Sequence, residues 1–318
     1  MNAPARPPST FRSVADLWAY RVGSTPRSPG LSWREAGQWR TETWAETDQR
    51  VQALAAWLLS QGLTHGDRAA ILAHTSLGWM VSDLAIMTAG GATTTIYPTS
   101  TTPDCLHILT DSGARFLFCD TPAQAARIAA ARDLLPDLRA IVVFDATTSA
   151  DPLLVPLSAA LSHGSAWRAD HPQALDDARR GIGPDDLATV IYTSGTTGAA
   201  KGVMLTHDAW IYATEAIDKL GLITPADKQL LFLPLAHVFA RVMELTTVRL
   251  GVPTALDGSA DRLADNLLEI RPTFFAAVPR IFERAWDRIA REAEDRGPAM
   301  NFAFHRSEEH TSELQSPC

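Results

Sequence analysis

Apolar residues recur along the chain at two spacings, and the two alternate. Residues 44–59 place Val51, Leu54 and Leu58 on one face, the three-to-four-residue period of an amphipathic helix. Short apolar runs at 68–73, 92–96, 115–119 and 140–144 read as strands. Between them 77–89, 102–112 and 122–134 read as helices, the second with a threonine cap and Pro103 in its first turn. A polar stretch, 146–184, reads as a connection. The alternation then resumes, with helices predicted at 207–220, 237–250, 260–270 and 280–294 and strands at 229–233, 253–256 and 273–278. The last helix carries Phe282, Ala285, Trp286 and Ile289 on one face. This rhythm predicts an α/β fold of parallel sheets covered by helices. The expected organisation is an N-terminal extension (1–32), a first α/β subdomain with its connecting segment (33–180), a second, incomplete α/β subdomain (181–305) and a tail (306–318).

One segment breaks the rhythm. Tyr192-Thr193-Ser194-Gly195-Thr196-Thr197-Gly198-Ala199-Ala200-Lys201-Gly202-Val203 follows the apolar run 187–192 and leads into another, 203–205. Hydroxyls, glycines and a lysine crowd into one short loop. Glycine lets the backbone approach a ligand closely. The N–H groups of such a turn form an anion-binding concavity, to which hydroxyls and a lysine add donors. A polyphosphate is the ligand that suits this chemistry. A Walker A loop needs Gly-Lys-Ser/Thr, whereas here the lysine precedes the glycine. The segment therefore reads as a strand–loop–strand phosphate cradle. Its expected phosphate-binding residues are Thr193, Ser194, Gly195, Thr196, Thr197, Gly198 and Lys201, with Lys201 and Thr196 nearest the chemistry.

A second segment, Leu233-Pro234-Leu235-Ala236-His237-Val238-Phe239-Ala240-Arg241, turns from strand into helix with an imidazole at the turn. Ligands in α/β sheets bind beyond the carboxyl ends of strands, which places His237 near the crevice that the loop faces. A third segment is Ala277-Val278-Pro279-Arg280-Ile281-Phe282-Glu283.

The loop closely resembles the AMP-binding signature of the adenylate-forming superfamily, with Ala200 where the family commonly has proline. The second and third segments resemble those of its long-chain fatty acyl-CoA synthetases. The resemblance implies the large N-terminal domain of these enzymes, built of stacked α/β subdomains. It implies an enzyme that joins a fatty acid to ATP, giving an acyl-adenylate and pyrophosphate, and then passes the acyl group to coenzyme A. His237, Phe239, Pro279 and Arg280 would border the acyl and adenylate pocket. Mg²⁺ would be held mainly by phosphates and water, with Thr196 as a candidate protein ligand; no residue is assigned as a metal ligand outright. The family's Tyr-Gly-x-Thr-Glu and Thr-Gly-Asp segments, its hinge and its small C-terminal domain with a catalytic lysine are not in this sequence. The 318-residue chain is therefore expected to be an inactive fragment. Two alternatives stay open. One is another adenylate former, such as an acyl-AMP ligase or a short-chain or aryl acid ligase. The other is a non-catalytic nucleotide-binding fragment.

Composition narrows the setting. The chain is 46% hydrophobic and 20% charged, with a formal charge of -8 and no basic block, which argues against a nucleic-acid partner. No segment approaches the roughly 18 apolar residues that span a bilayer. Cys105 and Cys119 lie in apolar contexts without metal spacing. Buried, reduced thiols fit a cytoplasmic protein, and long acyl substrates would bring it peripherally to the inner membrane surface. Nothing in the sequence names a protein partner.

The tail stands apart. Arg306-Ser307-Glu308-Glu309-His310-Thr311-Ser312-Glu313-Leu314-Gln315-Ser316 has a single large apolar residue. It looks like the translation of a widely used sequencing-library adapter, as if a coding sequence were cut near His305. Without residues 306–318, which hold one arginine and three glutamates, the charge of -8 becomes -6. Resequencing the native gene beyond His305 is expected to give different residues, and recovering the same thirteen would refute the adapter reading.

Overall fold

The computed structural model describes residues 11–146, 148–193, 199–279 and Glu283. The chain enters through α1 (Val14–Ser24), capped by Ser13, and a hairpin of β1 (Pro29–Glu35) and β2 (Gln38–Thr43). Helix α2 (Trp44–Ser60) follows at once, because Thr43 and Glu46 form a reciprocal capping box. Next come β3 (Arg68–Leu72), α3 (Leu77–Thr88), β4 (Ala92–Ile96), α4 (Thr102–Ser112), β5 (Ala114–Cys119), α5 (Pro122–Ala129) and β6 (Ala140–Val143). A separate 3-10 turn, Arg132–Leu134, ends what was expected to be one helix after Pro122. Sharp punctuation defines α4. Thr101 and Asp104 cap its start, and Gly113, at φ 60°, ends it in the left-handed conformation that glycine adopts without strain.

The stretch read as a connection, 146–184, is built differently. It holds β7 (Leu154–Pro156), α6 (Leu157–Asp170) and α7 (Ala174–Gly181). Only Ala160 and Gly164 of α6 are buried, so its sequence carries no apolar stripe. Its contact is a close backbone approach instead, since a Cβ on Gly164 would lie 1.8 Å from the Ala53 carbonyl oxygen of α2. Then follow β8 (Leu187–Thr193), β9 (Lys201–Thr206), α8 (His207–Leu220), β10 (Gln229–Leu231), α9 (Val238–Leu250), β11 (Thr254–Leu256) and α10 (Leu263–Ile270). The strand expected at 273–278 is reduced to one bridge between Phe274 and Gln229. The helix expected at 280–294, Glu283 apart, and the tail 306–318 lie outside the described residues.

Strand pairing reorganises the expected subdomains. One sheet has the order β10-β11-β1-β2 and the other β7-β6-β5-β3-β4-β8-β9. Leu31 of β1 pairs with Thr254 of β11, so the described part of segment 1–32 supplies a helix and a sheet strand. β8 and β9 join the sheet of β3 to β7, so residue 181 does not mark the boundary between sheets. The sheets are mixed: β1–β2 and β8–β9 are antiparallel, and the remaining ladders are parallel. Strands β4 and β6 are buried along their whole length, as parallel strands covered on both faces must be. Met1–Phe275 form one unit and Ala276–Cys318 another.

A histidine fastens α1. His207 is 1% exposed, and its Nδ1 accepts the Val14 N–H at 3.2 Å. Burial pushes its pKa down from 6.5 to about 4, opposed by Asp186 and assisted by His65. The folded state therefore holds this imidazole neutral. As pH falls below 6.5 the unfolded chain takes up the proton first, and stability is lost until about pH 4, by up to about 3 kcal/mol. His207→Gln keeps an acceptor and removes the titration. Its denaturant-measured stability should fall less than the parent's across that window, and parallel profiles would show that His207 does not carry the effect.

Candidate phosphate-binding site

Strands β8 and β9 run antiparallel, with Thr193 opposite Lys201 at the open end of their ladder. Both residues are exposed. β8 also pairs in parallel with β4, so Thr193 emerges at the carboxyl edge of the sheet, where ligands of α/β folds bind. Gly202 permits the hairpin to close. A Cβ there would lie 2.7 Å from Val190 Cγ1 and 3.1 Å from Tyr192 Cζ. Ser194, Gly195, Thr196, Thr197 and Gly198, the centre of the expected cradle, lie outside the described residues.

Beside the hairpin is a cavity of about 480 Å³. Thr193, Tyr192 and Ala200 line one side, Tyr97, Ser100, Asp104 and His107 another, and His237 and Val238 a third. His237 is the cap of α9, its Nδ1 accepting the Phe239 N–H at 3.2 Å. Buried threonines hold the segment that delivers it. Thr75 Oγ1 donates to the Leu233 carbonyl at 2.6 Å and accepts from the Leu235 N–H, while Thr95 Oγ1 donates to the Ala236 carbonyl at 3.1 Å. The imidazole thus combines a capping role with a place on the cavity wall. Phe239, two residues on, is 39% exposed and does not line this cavity. Pro279 belongs to the second unit, and Arg280 lies outside the described residues.

Sequence reasoning missed the wall formed by the β4–α4 connection and α4 itself. The available signal was positional: β4 ends at the same sheet edge as β8, and the helix after it starts with a strong cap. Among the wall residues, Tyr192 is held as a neutral phenol, its pKa raised by burial and by its hydrogen bond to Asp111.

A larger cavity, about 800 Å³, opens where β3, β5, β6 and β11 end. Its lining sets Glu35, Asp120, Asp145, Asp257 and Asp261 against Arg34 and Arg262. Both guanidiniums are already bonded, Arg262 to Asp257 and Arg34 to Asn266 and Glu269. A polyphosphate would meet surplus negative charge there, so the phosphate reading belongs to the smaller cavity. Among the described residues no group of three or more His, Cys, Asp and Glu side chains could hold a metal ion.

With an α/β sheet, a glycine- and hydroxyl-rich hairpin at its carboxyl edge and a cavity beside it, the chain has the architecture of an adenylate-forming N-terminal domain. The sequence profile of the AMP-binding enzyme family matches residues 18–315, and the chain belongs to that family. It is 30% identical over 272 residues to the long-chain-fatty-acid–CoA ligase FadD15 of Mycobacterium bovis, across 84% of this chain and 44% of that one. It is 29% identical over 300 residues to the long-chain-fatty-acid–CoA ligase ACSBG1 of Bos taurus, across 91% and 40%. The chain thus spans less than half the length of these curated relatives. The inhibitor-bound N-terminal domain of FACL13 from Mycobacterium tuberculosis shares the fold, with a TM-score of 0.70 at 24% identity over 86% of this chain and 64% of that one. The family match includes 306–315, so it and the adapter reading differ over those residues.

Proposed function

We propose that this protein serves ATP-dependent activation of a long-chain fatty acid to an acyl-adenylate, with coenzyme A as the acceptor. The observation that carries the reading is the hairpin end, where Thr193 stands opposite Lys201 beside a cavity that His237 also lines. Family membership and two relatives named as long-chain-fatty-acid–CoA ligases support it.

Each residue has a definable task. The Lys201 ammonium offsets charge on the pyrophosphate as it leaves, and the Thr193 hydroxyl donates to a phosphate oxygen. The protein's work is positioning and charge stabilisation at phosphorus. The described residues offer no carboxylate cage for a metal, so Mg²⁺ is proposed to arrive on the phosphates, as suits an ion that keeps its waters. His237 borders the space between the phosphate end and the acyl end. Among the described residues no helix is long and apolar enough to cross a membrane. The proposed setting is the cytoplasm, with peripheral contact to the membrane that supplies long acyl chains.

Two measurements test this. In a polypeptide as long as the relatives, fatty-acid-dependent ATP–pyrophosphate exchange should fall roughly ten- to hundredfold in Lys201→Ala, the loss of a charge-assisted contact worth about 1.5–3 kcal/mol. Unchanged exchange would remove Lys201 from the site. The 318-residue chain itself, given ATP, Mg²⁺, coenzyme A and fatty acids, is expected to bind ATP weakly and form no thioester. Sustained AMP release that depends on the fatty acid would overturn that expectation.

A further inference from the structure

Helix α4 touches the hairpin twice, once on β8 and once at the residue just before β9. His107 Nε2 lies 2.9 Å from the Ala200 carbonyl oxygen, next to Lys201. One helical turn later, Asp111 Oδ2 accepts the Tyr192 hydroxyl at 2.6 Å, next to Thr193. Residues four apart on a helix share a face, so a single face of α4 grips both stems. The His107 ring also meets the Tyr192 ring edge-on, with centroids 6.3 Å apart at 85°. Tyr192 in turn lies over Gly202, where no Cβ would fit.

The helix is well placed to hold a fixed distance. Both ends are capped, and Cys105, Ile108, Leu109 and Ser112 are buried against the sheet. The β8–β9 ladder alone fixes the two strands relative to each other. Its last pair among the described residues is Thr193 opposite Lys201. The two side chains from α4 tie that end of the ladder to a helix with both ends capped.

We propose that His107 and Asp111 are positioning residues for phosphate binding, acting through Lys201 and Thr193 respectively. The inference rests on the ATP reading above and adds the means by which the lysine is aimed. Neither side chain needs to touch the nucleotide. Because the Ala200 carbonyl is an acceptor, the Nε2 of His107 carries the proton.

The test is calorimetric titration with Mg·ATP of a polypeptide as long as the relatives, for the parent, His107→Ala, His107→Gln, Lys201→Ala and the double variant His107→Ala/Lys201→Ala. Loss of one positioning hydrogen bond should weaken ATP binding about tenfold in His107→Ala. His107→Gln, whose amide can donate to the same carbonyl, should recover most of the loss. In the Lys201→Ala background, His107→Ala should change little, because residues that act through one another are not additive. A parent that binds no ATP overturns the nucleotide reading, and this inference with it. A parent that binds, with His107→Ala equal to it or with fully additive losses, overturns only the positioning role. If His107→Ala does not fold by circular dichroism, Asp111→Ala and His107→Gln carry the test. Near-parental affinity in His107→Gln with a several-fold loss in Asp111→Ala, which removes the acceptor of the Tyr192 hydroxyl, supports the proposal, and parental affinity in Asp111→Ala refutes it.

Discussion

The guanidinium of Arg241 is buried completely, and four elements are arranged around it. It pairs with Asp83 of α3 at 2.5 Å, donates to Thr189 of β8 at 3.2 Å, and lies between the rings of Trp79 and Trp210, each 5.1 Å away. Trp210, from α8, donates to the same threonine oxygen at 3.1 Å. Burial and the neighbouring Asp83 charge push the Glu244 carboxyl well above its usual range, against the pull of Arg241. Arg241 and Asp83 face each other as a fully buried pair. Removing one partner of such a pair costs about 3–5 kcal/mol, because the other charge is stranded. The pair does little for stability compared with an apolar core of equal volume. It does make the relative placement of α3, α8, α9 and β8 hard to alter.

That constraint reaches the surface through two short paths. Helix α9 begins at His237, one turn before Arg241, so fixing the guanidinium fixes the rotation of the helix that presents the imidazole. Strand β8 continues from Thr189 to Thr193, so the same anchor fixes the strand that ends at the candidate phosphate site. Hydroxyls complete the attachment. Thr75 and Thr95 bond the carbonyls of Leu233 and Ala236, which a buried turn would otherwise leave unpaired. Rigid, dry packing below a polar rim is the arrangement that preorganised sites require.

How much of this was legible follows from what each residue needs locally. The hairpin could be read because glycines and hydroxyls are dense there and apolar strands flank them. Helices with a cap and a stripe, such as α4 and α8, could be read nearly to the residue. Helix α6 could not, because it meets α2 through Gly164 rather than through large apolar side chains. The strand expected at 273–278 shows the opposite error: its apolar run was real, but it keeps a single bridge. The pairing of β1 with β11 left no local trace. The grip of His107 on Ala200 was equally silent, since a histidine within an amphipathic helix is ordinary until its partner is known.

The pairing of Leu31 with Thr254 also sets an order of events during synthesis. The β1–β2 hairpin leaves the ribosome long before β11 exists. At ordinary elongation rates the interval is roughly ten to forty seconds. Throughout it, one edge of β1 is an open template for any passing strand. The chain must therefore keep its first hairpin out of trouble until its partner is made. A nascent-chain chaperone would be most needed in that interval, well before the candidate phosphate site could bind anything.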